Sequence, residues 1–219
     1  MNKGIVIAGA TGEVGRRLAE NLVARNPNTP IYALVRQISP LLPDRVIQVV
    51  VNFDDLDRTQ IPTPFHMAYC CLGTTIKTAG NQDAFKKVDH EYALKFAQWA
   101  QVQDCSQFAC ISSVGANRLS NNFYLSVKGQ LEHDLAQMNW DHLWLIRPSL
   151  LLGPRQEFRL GEYLGTIASQ IISPFMAGPL KKYKPIHMLK VADVLAKLAT
   201  QESDKTGCRV LEGHALFRD

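Results

Sequence analysis

No stretch of this sequence stays apolar long enough to cross a bilayer. The longest apolar region, Leu164 to Leu180, is interrupted by Thr166, Ser169, Gln170, Ser173 and Pro174. A secretory leader is missing too, because the first apolar run, Ile5 to Ala10, is short and leads straight into Glu13, Arg16 and Arg17. Cysteine is sparse: Cys70, Cys71, Cys105, Cys110 and Cys208 are odd in number and show no Cys-x-x-Cys spacing, so reduced, mostly buried thiols are expected. The six histidines are scattered, with no His-x-x-x-His or mixed His/Cys spacing, and no metal site is expected. Charge of one sign is not in excess, since 24 Lys and Arg face 20 Asp and Glu. The dense basic cluster at Lys181, Lys182 and Lys184 reads as a short solvated run. These absences point away from nucleic acid and membrane as partners and lead us to expect a cytoplasmic protein.

What is present is a chain of 219 residues, 46% of them hydrophobic, which is enough for one substantial core. Short β-rich runs near 3–8, 30–36, 45–51, 66–72, 107–112 and 142–147 alternate with helical periods near 13–25, 82–103, 121–138, 160–171 and 191–201. That alternation predicts an α/β fold with a parallel sheet covered on both faces. The second helix carries Ala84, Val88, Tyr92, Phe96 and Trp99 at spacings of three and four, a core stripe. After Pro148 the regularity weakens through Gly153-Pro154, Ser173-Pro174, Gly178-Pro179 and Lys184-Pro185. One domain over 1–219 is expected: a core of about 1–147 and a small, irregular lobe over 148–219, with the ligand between them beyond the carboxyl ends of the strands.

The first strand runs into Gly9, Ala10, Thr11, Gly12, Glu13, Val14 and Gly15, and a helix follows without a gap. Gly9 permits a tight turn, Gly12 lets backbone approach a pyrophosphate, and Gly15 lets helix and strand pack. The helix N-terminus favours the anion. This is the dinucleotide loop of a doubly wound, Rossmann-type sheet, with the spacing G-x-x-G-x-x-G. Where the second strand meets the adenosine ribose the chain has Arg36 and no acid, which suits a 2′-phosphate and predicts NADP(H) over NAD(H). Arg16 and Arg17 are close enough to add positive charge. Asn52 and Phe53 are candidates for the adenine, and Cys71, Leu72 and Gly73 for the cofactor's flank, with Thr74 facing substrate.

Tyr124 and Lys128 share one face of a predicted helix, after a strand that ends in Ser112-Ser113. A phenol is a poor proton carrier at neutral pH unless a nearby cation favours its phenolate, and Lys128 supplies one. Ser113, or failing it Ser112, is placed to hold a carbonyl or alcohol oxygen. Arg155, after Gly153-Pro154, is a candidate for a substrate anion, whereas Asp54, Asp55 and Asp57 read as an acidic turn.

The segments GATGEVG, CISS, YLSVK and IRPSLLLGP together resemble a short-chain dehydrogenase/reductase of atypical or extended type. More narrowly, CLGTT, FKKVDHEYALKFA, YLSVKGQLE and IRPSLLLGPRQE are similar to the human Tat-interactive protein 2 oxidoreductase family. The resemblance implies NADP(H) as ligand, Ser113, Tyr124 and Lys128 as a triad, and a segment after Arg147-Pro148 that passes the nicotinamide, with Leu150 and Leu151 beside it. Extended members usually carry Asn where this chain has Asp89. Asp193 is expected to serve the start of the last helix. The function expected is an NADP(H)-dependent oxidoreductase acting on a small carbonyl or alcohol. An NADPH-sensing regulatory protein with little turnover is the alternative, and a homodimer or a regulatory protein partner is compatible with the sequence. A nucleotide-sugar epimerase fits less well, given Arg36 and the short C-terminal lobe.

Overall fold

Strand β1 (Gly4–Ala8) is buried along its whole length, and its side chains alternate between two separate cores. Ile5 and Ile7 enter one, with Met67, Tyr69, Trp144, Val191 and Leu195; Val6 and Ala8 enter the other, with Ala68, Phe96, Phe108 and Leu131. A strand can be apolar at every position only where both faces of its sheet are covered. The computed structural model, which describes residues 3–152, 185–200 and 206–216, has that arrangement.

Helices α1 (Glu13–Arg25), α2 (Ile76–Ala79), α3 (Gln82–Lys86), α4 (Ala93–Val102), α5 (Phe123–Ala136) and α6 (Met188–Leu198) surround strands β1, β2 (Ile31–Val35), β3 (Val46–Val50), β4 (Phe65–Cys70), β5 (Gln107–Ile111) and β6 (His142–Arg147). Leu18 and Leu22 of α1 pack on one face beside Val191 and Leu195 of α6. Phe96 and Ala100 of α4 and Leu131 and Leu135 of α5 pack on the other. With β9 (Gly207–Glu212) at the far edge, the strand order is β3-β2-β1-β4-β5-β6-β9, with every pairing parallel. This is a doubly wound Rossmann-like fold. Chain direction across the sheet reverses between β1 and β4, and in such sheets ligands bind in the crevice at that reversal.

Two expectations are corrected. The chain past Pro148 does return to βα alternation: β7 (Leu151–Leu152) pairs with β8 (Ile186–His187), α6 follows, and β9 (Gly207–Glu212) joins the main sheet beside β6. Half-exposed, with Cys208 and Arg209 in it, β9 lacks the apolar run that betrays a central strand. The expected helix over 160–171 and the basic run Lys181–Lys184 lie outside the described residues. The long second helix is the other correction. It is not uniformly α-helical, because Lys87–Tyr92 forms a π segment between α3 and α4. Phe96 and Trp99 of the expected stripe are buried, with Phe85, Asp89, Ala93, Ala97 and Ala100 beside them, whereas Ala84, Val88 and Tyr92 are only partly covered. Spacings of four drift by about 40° per step in an ideal α-helix, and a wider turn takes up the drift.

Asp193 also departs from expectation. It stands mid-helix in α6, where it pairs with Arg25 at the end of α1 and with Lys197.

Candidate functional site

Beyond the carboxyl ends of β1, β4, β5 and β6 lies a cavity of about 260 Å³. The N-terminus of α1 supplies one wall, Gly12 to Gly15. Gly9 has a φ of 82°, and a Cβ there would stand 2.5 Å from the carbonyl of Cys71. A Cβ at Gly15 would stand 2.2 Å from Gly9 O, so this glycine sets how closely helix meets strand. Gly12 caps the 13-residue α1 with no side-chain hydrogen bond of its own, at the cavity wall. A positive dipole end with no intruding Cβ fits a pyrophosphate. Ala10 is buried beneath the turn and Thr11 is exposed above it.

The second wall follows β4. Cys71, Leu72, Gly73, Thr74, Thr75 and Thr78 line it, and Thr75 caps α2 by accepting a hydrogen bond from Thr78 N. The third comes from β5 and α5. Asn122 accepts from Leu125 N at 3.0 Å and so starts α5, placing Tyr124 in its first turn and Lys128 one turn on, both on the cavity. Buried Phe85 packs against the Tyr124 ring at 5.7 Å. Ser112 N donates to Ile146 O and Val114 N to Pro148 O, which knits the β5 end to the segment Pro148–Leu151 that closes the cavity.

The two serines differ. Both are buried and line the cavity, but Ser113 Oγ donates to Val114 O at 3.3 Å, while Ser112 Oγ has no hydrogen-bond partner among the described residues. A buried hydroxyl without a partner costs free energy unless a ligand supplies one.

Asp89, which the sequence shows only as a departure from the family's usual Asn, gains its meaning from its contacts. Brought inward by the π segment, its carboxylate pairs with Lys128 Nζ at 2.8 Å and accepts from Thr74 N at 2.7 Å, with Asp89 2% and Lys128 5% exposed at the side chain. Burial pulls the Lys128 ammonium down, but Asp89, Tyr124 and Cys110 outweigh it and hold it above its ordinary range. The signal available in the sequence was the acid itself, one turn before Tyr92, where an amide is usual in the resembled family.

Several expected residues stand elsewhere. Arg16 and Arg17 both bind Glu20, at 2.7 and 2.8 Å, and so turn their charge along the helix. Arg36 is exposed at the end of β2 and makes no hydrogen bond or ion pair among the described residues. The exposed Asn52 side chain accepts from Asp54 N, and Phe53 is buried against Tyr92. Arg147 forks onto Glu132 and reaches Glu212 at 3.6 Å; its guanidinium ties α5, β6 and β9 together and does not line the cavity. Pro148, Leu150 and Leu151 do line it, and Arg155 lies outside the described residues. Among the described residues no group of three or more His, Cys, Asp or Glu side chains is placed to hold a metal, and no helix is long and apolar enough to cross a membrane.

No family model matches the chain. It is 37% identical over 167 residues to Protein HTATIP2 of Rattus norvegicus, covering 74% of this chain and 69% of the relative. It is 32% identical over 157 residues to Protein FMP52, mitochondrial, of Candida glabrata, covering 71% and 67%. Among solved structures, a putative NAD-dependent epimerase/dehydratase from Bacillus halodurans superposes with a TM-score of 0.67 at 21% identity, over 94% of this chain and 92% of that one. The Bordetella bronchiseptica enzyme WbmH in complex with NAD+ superposes with a TM-score of 0.69 at 12% identity, over 97% and 76%. The fungal relatives overturn the expectation of a cytoplasmic protein, since they are named as mitochondrial. Free thiols at Cys70, Cys71, Cys105, Cys110 and Cys208 fit a reducing compartment of either kind and do not distinguish cytoplasm from the reducing interior of an organelle.

Proposed function

The chain belongs to the family of Protein HTATIP2 and Protein FMP52, and from that premise we propose that it is a nicotinamide-dependent oxidoreductase of the short-chain type, acting on a carbonyl or alcohol. One observation carries the reading: Tyr124, Lys128 and a Ser112 hydroxyl that has no hydrogen-bond partner among the described residues line the same cavity as the N-terminus of α1. A nicotinamide bound there would supply or accept the hydride. Gly12 to Gly15 hold the pyrophosphate, and Leu150 and Leu151 give the ring an apolar flank. Ser112 Oγ holds the substrate oxygen, Tyr124 Oη exchanges a proton with it, and Lys128 shares the charge that develops on the phenol. Ser112 takes precedence over Ser113 because its hydroxyl is the one without a partner.

The same reading prefers NADP(H). With Arg16 and Arg17 committed to Glu20, Arg36 is the cation left at the end of β2, and the strand end offers no acid to a ribose 2′-hydroxyl. The test is fluorescence titration with NADPH and NADH, with Arg36→Ala beside the parent, followed by NADPH oxidation across aldehydes, ketones and quinones. NADPH is expected to bind at least tenfold tighter, with the advantage lost in the variant. Equal affinity for the two nucleotides refutes the preference. Tight binding with no turnover across the panel would replace the enzyme by a cofactor-dependent regulatory protein.

A further inference from the structure

We propose that Asp89 is a positioning residue that keeps Tyr124 as the site's proton donor, so that the site runs towards carbonyl reduction; this rests on the oxidoreductase reading above. The geometry is that of a fixed charge. One carboxylate oxygen is 2.8 Å from Lys128 Nζ and the other 2.7 Å from Thr74 N, both side chains of the ion pair are buried, and the π segment Lys87–Tyr92 carries the acid to that point. An amide there carries no charge and has a single acceptor, so it could keep one of the two contacts and would turn its NH2 donor towards the other. The carboxylate accepts both, and its charge cancels most of the ammonium's field at the neighbouring phenol.

The groups that face Lys128 are few. Tyr124 comes from its own helix, Asp89 from the π segment and Cys110 from β5. Cys70 stands opposite Cys110 on β4 and also feels the lysine. Glu132, which acts on Cys110, is bound to Arg147. Asp89 is the carboxylate in direct contact with the ammonium. A bare buried cation beside a phenol favours the phenolate, the form that accepts a proton from an alcohol. A neutral ion pair leaves the phenol its proton, the form that donates to a carbonyl. In the step this implies, the carbonyl carbon gains a hydride from the reduced nicotinamide and the carbonyl oxygen gains the Tyr124 proton. The substrate is reduced by two electrons to the alcohol and the nicotinamide is oxidised by the same two. The half-buried phenolate then recovers a proton from water.

The experiment reads Tyr124 directly and needs neither cofactor nor substrate. Tyrosinate absorption is titrated in the full-length protein, with the matching Tyr124→Phe protein subtracted, for the parent, Asp89→Asn, Lys128→Gln and the double variant. The Tyr124 transition should move to lower pH in Asp89→Asn and to higher pH in Lys128→Gln, each by about one unit or more. It should return to within a few tenths of the parent when both charges are gone. The double variant removes a buried pair as a pair, so it keeps the test alive if a single variant folds poorly. In Asp89→Asn the rate of alcohol oxidation should also rise relative to carbonyl reduction. A transition unmoved in Asp89→Asn, or displaced in the double variant as far as in Lys128→Gln, overturns the role of Asp89. A shift as described in a parent protein that oxidises no NADPH overturns the oxidoreductase reading, and the reaction direction with it.

Discussion

Gly129, one residue past Lys128 on α5, is where the helix is pressed against the loop that leaves β5. A Cβ at this position would lie 2.2 Å from both the Asn117 carbonyl carbon and Arg118 N. Both are backbone atoms, which cannot swing away as a side-chain tip can, so Gly129→Ala must push helix and loop apart by about an ångström to reach ordinary contact. Overpacking of this kind costs about 1–3 kcal/mol, while exchanging Gly for Ala inside a helix returns about 1 kcal/mol. The net loss, up to about 2 kcal/mol, should lower Tm by up to roughly 4–8 °C in a domain of this length. The functional effect should be larger than the thermal one. The displaced loop begins at Ser112 and the displaced helix carries Tyr124, and an error of about 1 Å between reacting groups can cost on the order of a hundredfold in rate. Calorimetry and NADPH oxidation, set beside NADPH affinity, separate the two, because Gly12 to Gly15 lie on a different element. A variant as stable and as active as the parent would refute the close approach of α5 to Asn117–Arg118.

Gly15→Ala should act through the cofactor instead. Its Cβ would meet Gly9 O at 2.2 Å and open the turn, so NADPH affinity measured by titration should fall at least tenfold, whereas unchanged affinity would remove the loop from the site. Stability should decline in alkali. Burial pushes the Cys105 thiol up to about 12 in the fold against the ordinary 9.0, with the Gln107 backbone and the charge of Lys3 opposing the shift. As pH rises from 9.0 towards 12 the unfolded chain gives up this proton while the fold retains it, so stability falls by about 1.4 kcal/mol per pH unit from this group. Urea midpoints of Cys105→Ala and the parent, compared up to about pH 10.5, should show a shallower decline in the variant; parallel declines would contradict the assignment.

What the sequence made legible were the features whose partners are near in the chain. Gly9 to Gly15 could be read because strand, turn and helix are contiguous, and Tyr124 with Lys128 because four residues make one helical turn. The buried run of β1 announced a sheet covered on both faces. Features decided by distant partners stayed hidden. Arg147 looked like a cofactor contact until Glu132 and Glu212, on α5 and β9, were seen to hold it. Arg16 and Arg17 looked free until Glu20 was found between them. Ser112 and Ser113 are chemically identical in the sequence, and the difference between them is one hydrogen bond to Val114 O. Strand β9 was missed because half of it faces solvent. Asp89 was noticed as a departure without its meaning, since the π turn that buries it has no signature in local propensity.

In the proposed function Tyr124 exchanges a proton with a substrate held beside a nicotinamide cofactor. The most direct measurement is turnover of NADPH with an active carbonyl substrate by the parent and by Tyr124→Phe, with NADPH affinity measured in both. Loss of at least a hundredfold in kcat, with affinity held within about twofold, is the predicted result. Turnover equal to that of the parent would contradict it.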